Sequence, residues 1–182
     1  MQIIDTKLDE VKIIEPTVFG DDRGFFLESF NSKQFEAHGL PTRFVQDNHS
    51  RSQQGVLRGL HYQIKNPQGK LVRVTRGEVF DVAVDMRESS PQFGQWVGVT
   101  ISESNRRQLW VPPGYAHGFL VLSKTADFQY KCTDFYAPEH ERSLLWNDSR
   151  VGVHWPIPSD ETPLLADKDA AASSFDQCDF YK

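Results

Sequence analysis

The stretch "VPPGYAHGF", residues 111–119, predicts a sharp corner that leads into an apolar strand. Pro112 restricts the backbone, and Gly114 can adopt turn conformations that other residues avoid. The run "HGFLVLS" (117–123) that follows is rich in residues that favour strands. We therefore expect a tight turn that delivers His117 to the interior of a β structure as the strand begins.

Short strand-like runs, bounded by turn residues, recur on both sides of that corner. They are "VKII" (11–14), "GFFLESF" (24–30), "TRFVQDN" (42–48), "GVLRGLHYQI" (55–64), "KLVRVT" (70–75), "EVFDVAVDM" (78–86), "QWVGVTIS" (95–102), "RQLWV" (107–111), "HGFLVLS" (117–123), "DFQYKCTDFY" (127–136) and "RSLLWN" (142–147). This rhythm is typical of a β-sandwich or barrel. Helix is predicted at "NSKQFEAHG" (31–39), ended by Gly39, and is a candidate within 164–177.

Composition narrows the class of protein. The 182 residues carry a net charge of −5 at pH 7, which argues against a general nucleic-acid binder. No apolar run approaches the roughly 20 residues that span a bilayer, and the N-terminus lacks the pattern of a signal peptide. The two cysteines, Cys132 and Cys178, form no CxxC pattern, which disfavours a disulfide scaffold or thiolate zinc site. We expect one cytoplasmic domain over 1–182, with a barrel core at about 40–147 and a C-terminal tail over 148–182.

The corner residues Pro112, Gly114 and His117, preceded by Gly-Leu-His at 59–61, resemble the two motifs of the cupin superfamily. The resemblance implies a mainly β fold, a double-stranded β-helix or jelly-roll barrel with short helices and a C-terminal appendage. Metal-binding cupins carry a second histidine two positions after the first, but here that position is Gln63. Carboxylates at Glu78 and Asp81 also lie too far along the chain for the usual set. We therefore expect no metal and no cofactor.

A longer series of motifs identifies a narrower family. In order they are "GDDRGFFLE" (20–28), "FVQDNHS" (44–50), "VLRGLHYQ" (56–63), "GKLVRV" (69–74), "GEVFDVAVDMR" (77–87), "SPQFGQW" (90–96), "RRQLWVPPGYAHGF" (106–119), "LLWND" (144–148) and "KDAAA" (168–172). Together they resemble the dTDP-4-dehydrorhamnose 3,5-epimerases, which invert two carbons beside the C4 ketone of a dTDP-sugar. The resemblance implies a dTDP-sugar substrate and a homodimer formed through an exchanged N-terminal strand.

The resemblance also implies roles for individual residues. His61 would be the base, oriented by Asp169, while Lys70 would stabilise the O4 oxyanion and Tyr130 would be the acid on the far side of the sugar. An imidazole suits the first role because it can accept a proton near neutral pH. The implied substrate-binding residues are Phe19, Arg23, Glu28, Gln46, Asn48, Arg58, His117, Phe135 and Tyr136. Among these, Arg23 and Arg58 would clamp the diphosphate, and Phe19 and Phe135 would sandwich the thymine.

Five alternatives stay open at this point. His61 could be an ordinary hydrogen-bonded histidine of a β core, and His117 could be structural. The chain could be a 3-epimerase that inverts one carbon, because such enzymes share the base and the acid. It could be a metal-dependent cupin, although Gln63 counts against this, or a binding module for sugar nucleotides without catalysis. The motifs leave open the order of the two inversions, the final pathway product and which subunit supplies each contact to the nucleotide.

Overall fold

The computed structural model describes residues 1–182 and consists mainly of β-strands. The strands are β1 (Gln2–Asp5), β2 (Lys12–Glu15), β3 (Val18–Asp21), β4 (Gly24–Leu27), β5 (Gln46–Gln53), β6 (Leu57–Gln63), β7 (Lys70–Arg76), β8 (Glu78–Asp85), β9 (Trp96–Ser102), β10 (Gln108–Val111), β11 (Tyr115–Val121), β12 (Thr125–Cys132) and β13 (Glu141–Ser143). The helices are α1 (Ser32–Ala37) and α2 (Asp167–Ala170), with 3₁₀ turns at Pro138–His140 and Phe175–Gln177. No helix is both long enough and apolar enough to cross a membrane.

Two antiparallel sheets face each other and enclose the core. The six-stranded sheet has the order β1-β2-β10-β7-β12-β5, and the five-stranded sheet has the order β13-β6-β11-β8-β9. Buried side chains of both sheets, such as Val72 and Phe128 from the first and Val79 and Phe119 from the second, form one cluster of 16 residues. This is the cupin-type β barrel that the sequence predicted. Strands β1 and β2 pair into the six-stranded sheet, although they precede residue 40.

The corner at Pro112–Gly114 has the geometry that its composition predicted. Gly114 has a φ of +96°, and a Cβ at that position would approach Cδ of Arg87 to 2.7 Å. After the corner, every residue of β11 is buried. His117 therefore lies inside the barrel, directly opposite His61 of β6.

The two predicted helical segments are present but short. Asn31 caps α1, because its side-chain oxygen accepts a hydrogen bond from the backbone N–H of Gln34 at 3.2 Å. Gly39 follows the helix with a φ of +68°, as expected of a helix stop. In the C-terminal tail only Asp167–Ala170 is α-helical.

One strand lies elsewhere than predicted. The apolar run "TRFVQDN" (42–48) suggested a strand that ends at Asn48, whereas β5 begins at Gln46 and continues to Gln53. Asn48 and Ser50 pair with Tyr130 and Phe128 of β12 and share their face of the sheet. Since that face borders a polar pocket, β5 lacks the alternation of apolar and polar residues by which a half-buried strand is recognised.

Candidate active site

A pocket of about 580 Å³ opens between the two sheets at one end of the barrel. It brings together residues from β5, β6, β7, β11 and β12, from the loop before β13, and from the C-terminal segment. Nine of the predicted site residues line it: Gln46, Asn48, Arg58, His61, Lys70, His117, Tyr130, Tyr136 and Asp169. The pocket is therefore the candidate active site.

His61 and Asp169 form a close pair on one wall of this pocket. Nε2 of His61 lies 2.5 Å from Oδ1 of Asp169, and the two side chains are 20% and 2% exposed. A buried carboxylate at this distance forms a charge-assisted hydrogen bond, fixes the orientation of the ring and stabilises an imidazolium. His61 also lines the cavity, so the arrangement suits a base that takes a proton from a bound molecule.

A segment of the tail, residues 164–173, carries Asp169 across the barrel mouth; we call it the strap. Its first residue, Leu164, exchanges backbone hydrogen bonds with Gly55 and Leu57 at 2.8 and 3.0 Å. Its last residue, Ser173, donates to the Ser143 carbonyl at 3.1 Å. Between these ends, α2 exposes every side chain except Asp169. The carboxylate of Asp169 therefore comes from a segment that is hydrogen-bonded to the barrel at both ends.

Lys70 faces the same pocket from the opposite sheet. It opens β7 and pairs with Cys132 of β12 in the sheet. Its side-chain ammonium group makes neither a hydrogen bond nor an ion pair within the chain and lines the pocket. Burial lowers the pKa of its ammonium group, and the nearby Cys132 thiol and Asp81 carboxyl oppose that shift. An unpaired cation in a partly desolvated pocket is suited to stabilising a negative charge that develops on a bound molecule.

Tyr130 lies close to Lys70 on the six-stranded sheet. On β12, Tyr130 is opposite Val72 of β7, two residues along β7 from Lys70. Its ring is half-buried against Phe128, with ring centroids 6.0 Å apart. Burial raises the pKa of the Tyr130 hydroxyl to about 12. The phenol therefore holds its proton at neutral pH and can donate it into the pocket from the side opposite His61.

His117 has a carboxylate partner of its own. Its Nε2 lies 2.9 and 3.1 Å from the two oxygens of Asp81, whose side chain is fully buried. Burial raises the pKa of Asp81, and the interaction with His117 opposes that rise. His117 therefore lines the pocket as an oriented, buried group, and its ring stacks on Phe128 with centroids 6.2 Å apart.

Gln63, the residue in place of a second cupin histidine, anchors a loop. Its Nε2 donates to the carbonyls of Asn66 and Phe135 at 2.7 and 3.2 Å, and its Oε1 accepts from the Ala137 N–H at 2.9 Å. These bonds hold residues 135–137 at the pocket mouth. Nowhere in the chain do three or more His, Cys, Asp or Glu side chains converge as a metal site.

Further polar side chains line the pocket along β5 and β6 and in the loop before β13. Nε2 of Gln46 donates to Oδ1 of Asn48 at 3.1 Å, and Oε1 of Gln46 accepts from the Tyr136 N–H at 3.0 Å. Nε of Arg58 donates to Oγ of Ser52 at 3.0 Å, which leaves its terminal nitrogens free. Together these side chains offer amides, a guanidinium and an aromatic face, a set that fits a nucleoside diphosphate.

Four of the predicted residues do not line the pocket of their own chain. Phe19 and Arg23 lie on the β3–β4 hairpin, where the Phe19 residue is 63% and the Arg23 side chain 90% exposed. Glu28 accepts a hydrogen bond from Nε2 of Gln34 at 3.0 Å. Phe135 is 62% exposed, and its neighbour Tyr136 is the residue of that loop which lines the pocket.

The pocket also contains charged residues that the sequence analysis did not single out. Lys168, on the strap, lies 3.2 Å from both carboxylate oxygens of Glu141, and Oε2 of Glu141 accepts from the Tyr136 hydroxyl at 3.2 Å. Lys168 adjoins Asp169 in the "KDAAA" motif, so its position next to a predicted site residue was an available signal. Glu141 carried no comparable signal, because its place depends on where β13 pairs with β6.

Comparison with known proteins identifies the family. A family model described as dTDP-4-dehydrorhamnose 3,5-epimerase matches residues 5–177. A curated dTDP-4-dehydrorhamnose 3,5-epimerase of Pseudomonas aeruginosa is 59% identical over 175 residues, which is 96% of each chain. The enzyme of the same description from Shigella flexneri is 56% identical over 183 residues, covering 100% of this chain and 99% of that one.

Solved structures agree in fold and sequence. A dTDP-6-deoxy-D-glucose-3,5-epimerase of Legionella pneumophila, in complex with dTDP-4-keto-L-rhamnose, superposes with a TM-score of 0.94 at 57% identity, covering 98% of this chain and 94% of that one. A 3'-monoepimerase of Streptomyces bikiniensis, in complex with dTDP-quinovose, gives a TM-score of 0.88 at 33% identity, covering 94% and 87%. The fold is common to both kinds of epimerase, and the higher identity is to the 3,5-epimerase.

Proposed function

The chain belongs to the dTDP-4-dehydrorhamnose 3,5-epimerase family, and from that premise we propose how its pocket carries out the reaction. The enzyme is an isomerase of dTDP-L-rhamnose biosynthesis that converts dTDP-4-dehydro-6-deoxy-D-glucose to dTDP-4-dehydro-L-rhamnose. Carbons C3 and C5 both flank the C4 ketone, so each can lose its proton to give an enolate. Inversion requires that the proton return on the opposite face of the ring.

We propose that His61 removes the proton at each carbon. Its place on the wall formed by the five-stranded sheet and the 2.5 Å contact with Asp169 support this role. As His61 takes the proton it becomes a cation, and the buried Asp169 carboxylate stabilises that cation. The imidazole then transfers the proton to solvent before it removes the next one, which allows label from water to enter the sugar.

Lys70 and Tyr130 would act from the opposite wall. The Lys70 ammonium group would lie beside O4 and stabilise the enolate oxygen, in keeping with its lack of any partner in the chain. Tyr130 would then protonate the carbon on the face away from His61 and regain a proton from solvent before the next inversion. Its raised pKa means that the proton is present across the neutral range. The single observation that carries this proposal is the position of the His61–Asp169 pair across one pocket from Lys70 and Tyr130.

The nucleotide would bind against Gln46, Asn48, Arg58 and Tyr136, which line the pocket. His117 would contact the sugar as a positioned group held by Asp81. We keep Phe135 as a candidate for stacking on the thymine, since its loop is anchored at the pocket mouth by Gln63.

Three further substrate-binding residues, Phe19, Arg23 and Glu28, would come from a second copy of the chain. The β3–β4 hairpin that carries the first two leaves three aromatic rings exposed, with Phe19, Phe25 and Phe26 at 60–68% exposure. Exposed aromatic side chains on a projecting hairpin favour an interface. We propose a homodimer in which each hairpin reaches into the pocket of the partner.

Mixed dimers test this arrangement. When Arg23→Ala and His61→Ala chains are co-expressed in equal amounts, about half of the dimers are mixed. Each mixed dimer has one pocket in which both residues are intact, so about a quarter of all pockets should be active. The homodimer of each variant should have far lower activity. If mixing restores nothing, although light scattering shows dimers, the hairpin does not serve the partner pocket.

The rival within this fold is an epimerase that inverts C3 alone. The observation against it is the higher identity to 3,5-epimerases than to the 3'-monoepimerase. The product of dTDP-4-dehydro-6-deoxy-D-glucose after incubation with the protein would decide, with the configuration at C3 and C5 determined by proton NMR. Inversion at both carbons supports the proposal, and inversion at C3 alone supports the rival.

The remaining proposals concern where the enzyme acts, its need for a cofactor and its domain organisation. We propose that it acts in the cytoplasm without a cofactor, in keeping with its two unpaired cysteines and the reducing conditions there. We also propose that residues 1–182 form one domain, since the strap and the tail pack on the barrel and provide part of its pocket.

A further inference from the structure

The β3–β4 hairpin (residues 18–27) is joined to the body of its own chain by very few contacts. Its backbone hydrogen bonds are all between its two strands, and the side-chain bond of Arg23 to Asp21 is internal to it. One contact between the hairpin and the body of the chain is made by Arg106, whose guanidinium lies over the Phe25 ring, 4.2 Å from its centroid. This contact therefore contributes to the direction in which the hairpin projects.

Arg106 lies in the turn between β9 and β10 and is held there in an unfavourable state. Its φ is +54°, a left-handed conformation that residues other than glycine rarely adopt. Its Nε is buried and has no hydrogen-bond partner. Both features lower stability, and such features persist where the surrounding structure requires the side chain in one place.

The pairing of β3 with β4 determines which aromatic rings share a face of the hairpin. Phe19 is directly opposite Phe26, so the two rings share one face, whereas Phe25 lies on the other. Arg106 contacts Phe25 on one face of the hairpin, and the other face carries Phe19 and Phe26. That face is the one available to a second copy of the chain.

We propose that Arg106 is a positioning residue for substrate binding, because it orients the hairpin that presents Phe19 and Arg23 to the partner pocket. The inference rests on the proposed function, in which those two residues bind the nucleotide end of the substrate. Arg106 itself touches no substrate and acts through the Phe25 ring. Its loss should therefore weaken substrate binding and leave the rate of the bound complex unchanged.

The test is the variant Arg106→Asn, since asparagine tolerates the left-handed conformation and removes the cation without adding strain. A cation–π contact at an exposed site corresponds to about a two- to fivefold effect, so KM for the dTDP-sugar should rise about two- to fivefold with kcat unchanged. Arg106→Lys keeps the charge but loses the planar guanidinium, so it should raise KM less than Arg106→Asn does. Phe25→Leu should raise KM to the same extent, and the double variant should be no worse than either single one.

Arg107→Asn is the matched control, because Arg107 is the next residue and its Nε pairs with Glu15 at 2.7 Å rather than with the hairpin. Its KM should equal that of the wild type. An Arg106→Asn variant with unchanged KM, or with kcat reduced in place of a raised KM, would overturn the proposal.

Limited trypsin digestion gives a readout that does not depend on activity. Arg23 lies at the hairpin tip, so cleavage after Arg23, followed by mass spectrometry, should be faster in Arg106→Asn than in the wild type and unchanged in Arg107→Asn. Equal cleavage of wild type and Arg106→Asn would contradict the anchoring. Absence of epimerase activity in the wild type would instead refute the proposed function, while the digestion still tests the contact.

Discussion

Replacing Asp169 by asparagine should slow turnover strongly while leaving the fold intact. The substitution keeps the size of a side chain that is 2% exposed and 2.5 Å from His61, but removes its charge. A hydrogen bond to a charged group contributes about 1.5–3 kcal/mol, and we expect most of this to be lost when the imidazolium forms. The predicted decrease in kcat is therefore about 10- to 150-fold, with little change in KM.

The assay follows conversion of dTDP-4-dehydro-6-deoxy-D-glucose by NMR with purified Asp169→Asn, alongside circular dichroism and a thermal melt to verify folding. Asp167→Asn is the control, because Asp167 is an exposed carboxylate on the same short helix and makes no side-chain contact with the pocket. It should turn over at the wild-type rate. If Asp169→Asn stays within about threefold of the wild type, the pairing with His61 is not what activates the base.

Three further outcomes are expected. Burial lowers the pKa of Lys70 from the usual 10.5, and the cation is the active form, so kcat should fall as the pH rises, with a midpoint below pH 10.5. Lys70→Arg should move this midpoint to higher pH. A midpoint that does not move would exclude Lys70 as the source of the fall in kcat. Tyr130→Phe should reduce formation of inverted product by ~10²–10⁴, while proton exchange on the His61 side continues; loss of both together would contradict separate roles. Phe128, 1% exposed and stacked on Phe119 with centroids 4.0 Å apart, bridges the two sheets, so Phe128→Ala should lower the free energy of unfolding in urea by about 3–5 kcal/mol.

The sequence predicted the barrel well, because strand formers and turn residues alternate along most of the chain. The corner at Pro112–Gly114 and the inward position of His117 follow directly from local chemistry. Strand β5 was placed less well, since its inward residues are polar and serve a pocket rather than a core. Local pattern alone cannot distinguish such a strand from a loop.

The site was predictable only in part from local patterns. His61 and Lys70 lie on strands whose faces the sequence specifies, but Asp169 reaches His61 across 108 positions of chain through the strap. The role predicted for Asp169 comes from the resemblance to a family motif. Glu141 and Lys168 were missed because their pairing depends on how the strap crosses the barrel mouth.

The β3–β4 hairpin shows a second limit of prediction from sequence. Phe19 and Arg23 were assigned to substrate binding, yet both lie outside the pocket of their own chain. Residues that complete a site in another subunit cannot be located from one chain's strand pattern. The exposed aromatic rings of the hairpin are the observation that supports the proposed second chain.

The most direct test of the account is deuterium incorporation from D₂O into dTDP-4-dehydro-6-deoxy-D-glucose by wild type and by His61→Ala, followed by NMR. The account predicts label at both C3 and C5 with the wild type, and at neither carbon with His61→Ala, although this variant still binds dTDP. Label at the wild-type rate at either carbon in His61→Ala would contradict the claim that this histidine is the base.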